Sequence, residues 1–267
     1  MAKKPEITEV PEEKKPGTEL VDWRAKLGAM TQRVIETEQP DYVNISFKGG
    51  IFTINEEPVA NNRLEMIILD YRFENAWYRD NYNPNRPTAP HCWALSYEGV
   101  DMVPSEKSEE RQSDLCDTCP KNEWGSDRNG GRGKDCKNSR RLAVIPASII
   151  NEGPNAVRKA TVGIIKLPTT SIKNFQKFAQ QVSNVLHVPP LGVVVEISVT
   201  PDPSSQFKVN FKVMEQIEDG EIIKALITKS ETDAKVELDK PYLSNAELQE
   251  MQAQRAGAGA GAGGSKY

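Results

Sequence analysis

An α+β fold built mainly of antiparallel strands is what this 267-residue sequence predicts, and three observations predict it. Short runs rich in β-branched and aromatic residues recur from Asp41 to Met214, separated by turn residues. Amphipathic helical spacing is confined to a few segments, with one clear helix just before the last pair of strands. The segment 100–141 is polar and Gly-rich and has no apolar core of its own.

The elements follow in order. Residues 1–18 are rich in Lys, Glu and Pro and read as a solvated tail. Residues 19–40 form an N-terminal helix, with Leu20, Trp23, Leu27, Met30 and Val34 on one face and Pro40 ending the run. Residues 41–217 form the core. It opens with YVNISF, Gly49-Gly50 and IFTIN, a hairpin with a glycine turn. Arg63 to Tyr78 is one long bent strand or two broken near Glu74-Asn75. Cys92 to Tyr97, Arg141 to Ile150 and Ala160 to Leu167 are further strands. Ser171 to Leu186 is a helix with Ile172, Phe175, Ala179, Val182 and Leu186 inward. Gly192 to Thr200 and Phe207 to Met214 pair across the turn PDPSS. Residues 218–243 are an acidic segment, and 244–267 hold a short helix with a Ser244/Glu247 capping box and a flexible Gly/Ala tail. This order suits an OB-like barrel with a loop subdomain inserted at 92–141 and helices flanking it.

Charge and hydropathy exclude several classes. The chain has 34 basic and 38 acidic residues, a net charge of −4, so it is not a globally basic nucleic-acid binder. Local potential, not the total, governs binding, so a basic face stays possible. No apolar run is long enough to span a membrane. The charged N-terminus lacks the apolar stretch of a secretory signal, which places the expected location in the cytoplasm. His91 and His187 are the only histidines, scant material for Ser-His-Asp or Cys-His chemistry.

Four cysteines, Cys92, Cys116, Cys119 and Cys136, are spaced C-x23-C-x2-C-x16-C. Cys116-Asp-Thr-Cys119 is a knuckle that lets two thiolates hold one ion from a tight turn. Four thiolates with no open position describe one structural Zn2+ that clamps loops unable to bury a core. His91 adjoins Cys92 and is the alternative fourth ligand. A redox CxxC fits less well, because the motif sits in a polar loop and not at a helix start.

The stretch around the last three cysteines is the most informative. From Lys121 to Arg141 there are seven basic residues against three acids, opposite in sign to the whole chain. Gly125, Gly130, Gly131 and Gly133 let backbone approach a phosphate, and Trp124 offers a stacking surface or a plug over the metal. The run Cys119-Pro120-Lys121-Asn122-Glu123-Trp124-Gly125-Ser126, then Gly131-Arg132-Gly133-Lys134-x-Cys136-Lys137-Asn138-x-Arg140-Arg141-Leu142, with Pro90-His91-Cys92-Trp93 upstream, resembles a tailed-phage family of single-stranded-DNA-binding-like proteins. More distantly, the layout resembles the T-even phage single-stranded-DNA-binding protein. The resemblance covers residues 90–142 in detail. It implies an OB-fold with a zinc subdomain, single-stranded DNA as ligand and phage replication proteins as partners. Many such proteins end in an acidic tail. This chain ends in Lys266-Tyr267 and keeps its acid at 218–239.

A single-strand binder interleaves aromatics, which stack on bases, with cations along the phosphate track. Tyr71, Phe73 and Trp77 would share one face of a strand and Arg72 the other. With Trp93 and Trp124 these rings are the stacking candidates, core packing being the alternative for each. Lys134, Lys137, Arg140, Arg141, Arg72 and Arg79 are the candidate phosphate contacts. Gly133-Lys134 fails as a P-loop, because Arg128 stands where its first glycine belongs. Gly259 to Gly264 matches G-x-G-x-x-G with no strand before it or helix after it. Carboxylates such as Glu65, Asp70, Glu74 and Asp80 could serve a metal-dependent nuclease. Glu65 and Asp70 have opposite parity, however, and would lie on opposite faces of a regular strand. The expected function is non-catalytic coating of single-stranded DNA. The alternative is a zinc-bearing interaction module of a phage replication, transcription or virion assembly, without direct DNA contact.

Overall fold

The computed structural model describes residues 43–261 apart from 82, 84 and 85, together with 23, 26–30 and 33. The expected tail at 1–18 and the last residues, 262–267, lie outside the described residues. The chain divides into two units at 41/42. In the first, residues 23, 26–30 and 33 are helical, in keeping with the periodicity, and Trp23, Leu27 and Met30 are exposed.

In the second unit the elements are β1 (Val43–Ser46), β2 (Thr53–Ile54), β3 (Glu57–Pro58), β4 (Arg63–Trp77), β5 (Cys92–Ser96), β6 (Lys137–Pro146), α1 (Pro154–Lys159), β7 (Gly163–Leu167), α2 (Ile172–Gln181), β8 (Val193–Asp202), β9 (Gln206–Gln216), α3 (Gly220–Lys229), α4 (Lys235–Leu238) and α5 (Asn245–Gly261). The nine strands form one sheet in the order β3-β2-β1-β7-β6-β4-β8-β9, with β5 also on β4. Every pairing is antiparallel except β1 with β7. The fold is thus α+β with a mainly antiparallel sheet curled into a half-barrel, a shape compatible with an OB-like barrel.

β4 organises the molecule. β6 pairs along most of its length on one side. On the other side β8 takes the first half, at Arg63–Met66, and β5 the last part, at Phe73–Trp77. The first half of β4 is therefore core scaffold, and its second half holds the cysteine loop. A bulge at Leu69 separates them, where Ile68 faces Val144 and Asp70 faces Ala143. The bulge shifts the alternation by one. Met66 and Ile68 point inward before it, and Tyr71 packs on that same inner core after it. Ile67 and Leu69 point to the outer core. The bulge corrects the parity argument about the carboxylates, since Glu65 and Asp70 now fall on one face. They stand roughly 15 Å apart along the strand, too far to act as a pair.

The inner core gathers Ile45, Leu142, Ile165, Val195 and Val209 under α2. Phe175 and Phe178 of α2 meet Phe211 at 5.4 and 5.7 Å between ring centroids. α2 and the turn that leads into it also satisfy part of β9. Val209 N donates to Ser171 Oγ (2.9 Å), and Asn174 Nδ2 donates to Val209 O (3.0 Å). The helix continues as a wider turn over Val182–Leu186 and stops at His187, whose φ is +56°.

The outer core lies beneath α1, α3 and α4. The acidic segment is therefore a folded layer. Ile222, Ala225, Leu226, Ala234 and Leu238 are buried while the carboxylates face outward, and burying a side chain such as Leu226 contributes about 1.5–3 kcal/mol. Asp219 caps α3 by accepting from the backbone N–H groups of Glu221 (2.8 Å) and Ile222 (3.1 Å).

Three boundaries differ from the sequence reading. β6 starts at Lys137, four residues before Arg141, because its early residues pair with Phe73–Ala76 of β4. Residues 154–159, beginning at a proline, are helical where the sequence shows no clear pattern. α5 runs to Gly261, into the stretch expected to be flexible.

Candidate nucleic-acid interface and cysteine centre

On the inner side of β4 and β6, beyond the bulge, cross-strand partners form a short ladder. Tyr71 faces Leu142, Phe73 faces Arg140, and Asn75 faces Asn138. Tyr71 is closed off by Phe175, 5.0 Å away. Phe73 is half-buried, and the Arg140 guanidinium carbon lies 3.6 Å from its ring centroid. No carboxylate among the described residues pairs with Arg140. Its NH1 donates to Ser139 O at 2.9 Å. Desolvation lowers its pKa to about 10, so it remains a cation. Gly99 lets the Phe73 ring lie where it does, for a Cβ there would fall 2.3 Å from a ring carbon.

The ladder continues into the cysteine loop through side-chain amides. Asn138 Nδ2 donates to Asn75 Oδ1 and, at 3.0 Å, to Asn122 Oδ1. The same Asn122 oxygen accepts from Lys134 Nζ at 3.1 Å. Lys134 Nζ also stands 5.6 Å from the ring centroid of Trp124. Trp124 is 79% exposed, which excludes the plug over the cysteines. Asn75, Asn122 and Asn138 are the functional candidates that sequence reasoning missed, because lone asparagines resemble turn residues until pairing brings them together.

Other sequence candidates lie elsewhere. Arg72 and Arg141 are buried on the outer side, where Arg72 pairs with Asp239 and Arg141 with the fully buried Glu74. Lys166 Nζ reaches Glu74 at 2.7 Å, and Ser139 Oγ donates to it at 2.7 Å. Burial opposes the Glu74 charge, but Lys166 and Arg141 outweigh it and hold its pKa down to about 2. Tyr242 closes this cluster, with Arg141 4.7 Å and Lys166 5.0 Å from its ring. Trp93 is buried against Tyr242. Arg79 is exposed and bonds Glu110, with Nε 3.2 Å from Oε2. Lys137 is exposed on the outer side and donates to Lys134 O at 2.9 Å. Trp77 is buried and donates from Nε1 to Asp135 Oδ2 at 2.7 Å. Asp135 also binds Arg128 Nε at 2.6 Å, and Arg128 donates to the carbonyls of Tyr78 and Arg79. Asp135 thus pins the loop to the end of β4.

Cys92, Cys116, Cys119 and Cys136 are all buried and unbridged, and all four line one cavity of about 10 Å3. His91 does not line it, and its Nδ1 accepts from Arg79 N at 3.3 Å. The knuckle is a tight turn. Cys119 N donates to Cys116 O (3.3 Å), Asn122 N to Cys119 O (2.8 Å) and Asn122 Nδ2 to Cys116 O (2.8 Å). Backbone N–H groups of Gln112 and Ala76 are directed at the sulfurs of Cys92 and Cys136. Burial, then the neighbouring thiols, pushes the Cys136 pKa up to about 12. Among the described residues, no three His, Cys, Asp or Glu side chains are arranged as they stand to hold a metal ion.

No known protein family, curated protein or solved structure matches this chain. Among the described residues no helix is long and apolar enough to cross a membrane.

Proposed function

We propose that this protein is a non-catalytic, OB-like binder of single-stranded DNA, whose strand runs along the inner ladder from Phe73 and Arg140 to Lys134 and Trp124. The single observation that carries the reading is Arg140, a half-buried guanidinium stacked on an aromatic ring with no acid among the described residues to neutralise it. A desolvated cation without a carboxylate is costly unless an anion completes it, and a phosphate supplies that anion with bidentate geometry. Lys134 would meet a second phosphate, while Trp124 would stack on a base and Phe73, packed against Ala94, Met102 and Cys116, would hold the Arg140 guanidinium in place. Arg72, Arg141, Trp77 and Trp93 serve the fold in this reading.

The four cysteines would hold one Zn2+ in a closed site. Support comes from their shared cavity and the N–H donors directed at two sulfurs. Zinc would supply only structural cross-linking, so that the loop presenting Lys134 and Trp124 stays rigid. Phage replication proteins are the partners proposed from the resemblance of residues 90–142.

Titration of tryptophan fluorescence with a single-stranded oligonucleotide tests the reading. Quenching at low salt that fades as salt rises is the expected result. No quenching, with zinc bound, would favour the interaction module, to which the exposed Trp23, Leu27 and Met30 of the N-terminal unit would then point.

A further inference from the structure

The end of the sheet beside β6 bears a second feature that strand binding on the inner ladder does not use. At the rim where β1 and β7 end, an open depression of about 580 Å3 has a mostly apolar floor that includes Ile45, Phe47 and Phe207. Two ammonium groups line it, from Lys137 and Lys166, and no carboxylate does. Thr169 and Thr170 add hydroxyls at the exposed edge. Its size and character, largely apolar with a few convergent polar groups, are those of a small-molecule site.

The charge around it is unbalanced. Glu74 is shared between Lys166 and Arg141, so one carboxylate answers two cations. Lys137 adds a third cation, whose Nζ donates to the carbonyl oxygen of Lys134 and pairs with no carboxylate among the described residues. Three cations against one carboxylate leave an excess of two positive charges beside an aromatic floor. Lys166 is held by the buried Glu74 and by the hydroxyl of Tyr242, yet its side chain is 45% exposed toward the depression. An apolar floor with two fixed ammonium groups at its edge recognises a planar ring bearing a phosphate.

We propose that this depression binds a nucleotide unit, its base on the floor beside Phe207 and its phosphate between Lys137 and Lys166. The unit comes either from a free nucleotide or from a bound strand that turns around β6. Its two ammonium groups come from the side of β6 opposite Arg140, since Lys137 and Ser139 alternate with Asn138 and Arg140, while its apolar floor is the rim of the inner core. Phe73, Arg140, Lys134 and Trp124 do not line it, so it does not depend on the inner ladder.

The test uses the full chain and thymidine 5′-monophosphate, with thymidine and inorganic phosphate as controls, read by isothermal titration. The nucleotide is expected to bind at least about tenfold more tightly than either control, since each lacks half of the recognised chemistry. Thr170→Tyr, which fills the exposed edge, lowers nucleotide affinity about tenfold or more, and Lys137→Met does the same without touching the edge. Arg140→Ala leaves nucleotide affinity unchanged. Equal binding of nucleotide and thymidine, or nucleotide binding indifferent to both Thr170→Tyr and Lys137→Met, overturns the proposal. Displacement by an oligonucleotide of about eight residues assigns the unit to a strand, and co-binding assigns it to a free nucleotide. Failure of the inner ladder reads out separately, as oligonucleotide affinity that ignores Arg140→Ala.

Discussion

Arg140 of β6 and Phe73 of β4 are cross-strand partners, and the guanidinium lies over the ring at 3.6 Å. In the proposed function the pair would set a phosphate-binding cation on an aromatic ring at one sheet position. Arg140→Ala should weaken single-stranded DNA binding and lower the slope of log affinity against log salt by about one. The fold should survive, because no partner carboxylate is left unpaired. An unchanged salt slope would remove Arg140 from the phosphate track.

Trp124 tests the outer end of the ladder. It is 79% exposed, so Trp124→Ala should change stability by less than about 0.5 kcal/mol. If it stacks on a base, the same change costs about 1–3 kcal/mol of affinity and removes most of the fluorescence quench. Thermal melting and oligonucleotide titration of one preparation separate the two effects.

Gly99 acts at one remove. Gly99→Ala brings a methyl group to about the position that lies 2.3 Å from the Phe73 ring, so the ring must shift and take Arg140 with it. Oligonucleotide affinity should fall although residue 99 is not placed on the strand's path. Wild-type affinity in this variant would show that the stacked pair tolerates displacement.

Glu74 sets an acid limit. Its pKa falls from 4.5 in the free side chain to about 2 in the fold. The stability it contributes is complete above about pH 4.5 and is lost as pH falls toward 2. Glu74→Gln should flatten that part of the pH–stability curve. It should also cost about 3–5 kcal/mol at neutral pH, because Arg141 is left buried without its counter-charge. Denaturant melts at several pH values measure both.

The cysteine centre predicts one zinc per chain and its loss on Cys136→Ser. Zinc uptake should release protons, because burial raises the pKa of Cys92, Cys116 and Cys136, the last to about 12, and so keeps these thiols protonated. Removal of the metal should loosen the loop near Trp124 while the sheet persists. Metal analysis, proton-release titration and the Trp124 emission maximum check this. A metal-free protein with an unchanged loop would end the zinc reading.

Much of the sheet was legible in the sequence, because its strands alternate and its turns are marked by glycine and proline. The faces were harder. Read as a linear cluster, Lys137, Arg140 and Arg141 form one basic patch. In β6, alternation sends Arg140 inward and the other two outward, and Glu74 claims Arg141. Arg72 was placed correctly opposite Tyr71 and Phe73, but its partner Asp239 lies 167 residues away and leaves no local signal. The acidic segment at 218–239 was legible only as a charge count, although Ile222, Leu226 and Leu238 already carried the spacing of a packed face. The amide chain from Asn75 through Asn138 to Asn122 arises only from strand register, which no single sequence states.

The extra residue at Leu69 acts as a phase shifter within one continuous strand. Ahead of it, even-numbered side chains look into the hollow of the half-barrel; behind it, odd-numbered ones do. Adding one more residue between Asp70 and Tyr71 would rotate the rings toward the C-terminal helices. It would also turn the carboxylate of Glu74 into the channel proposed for DNA, so that the surface meant to attract phosphate would repel it.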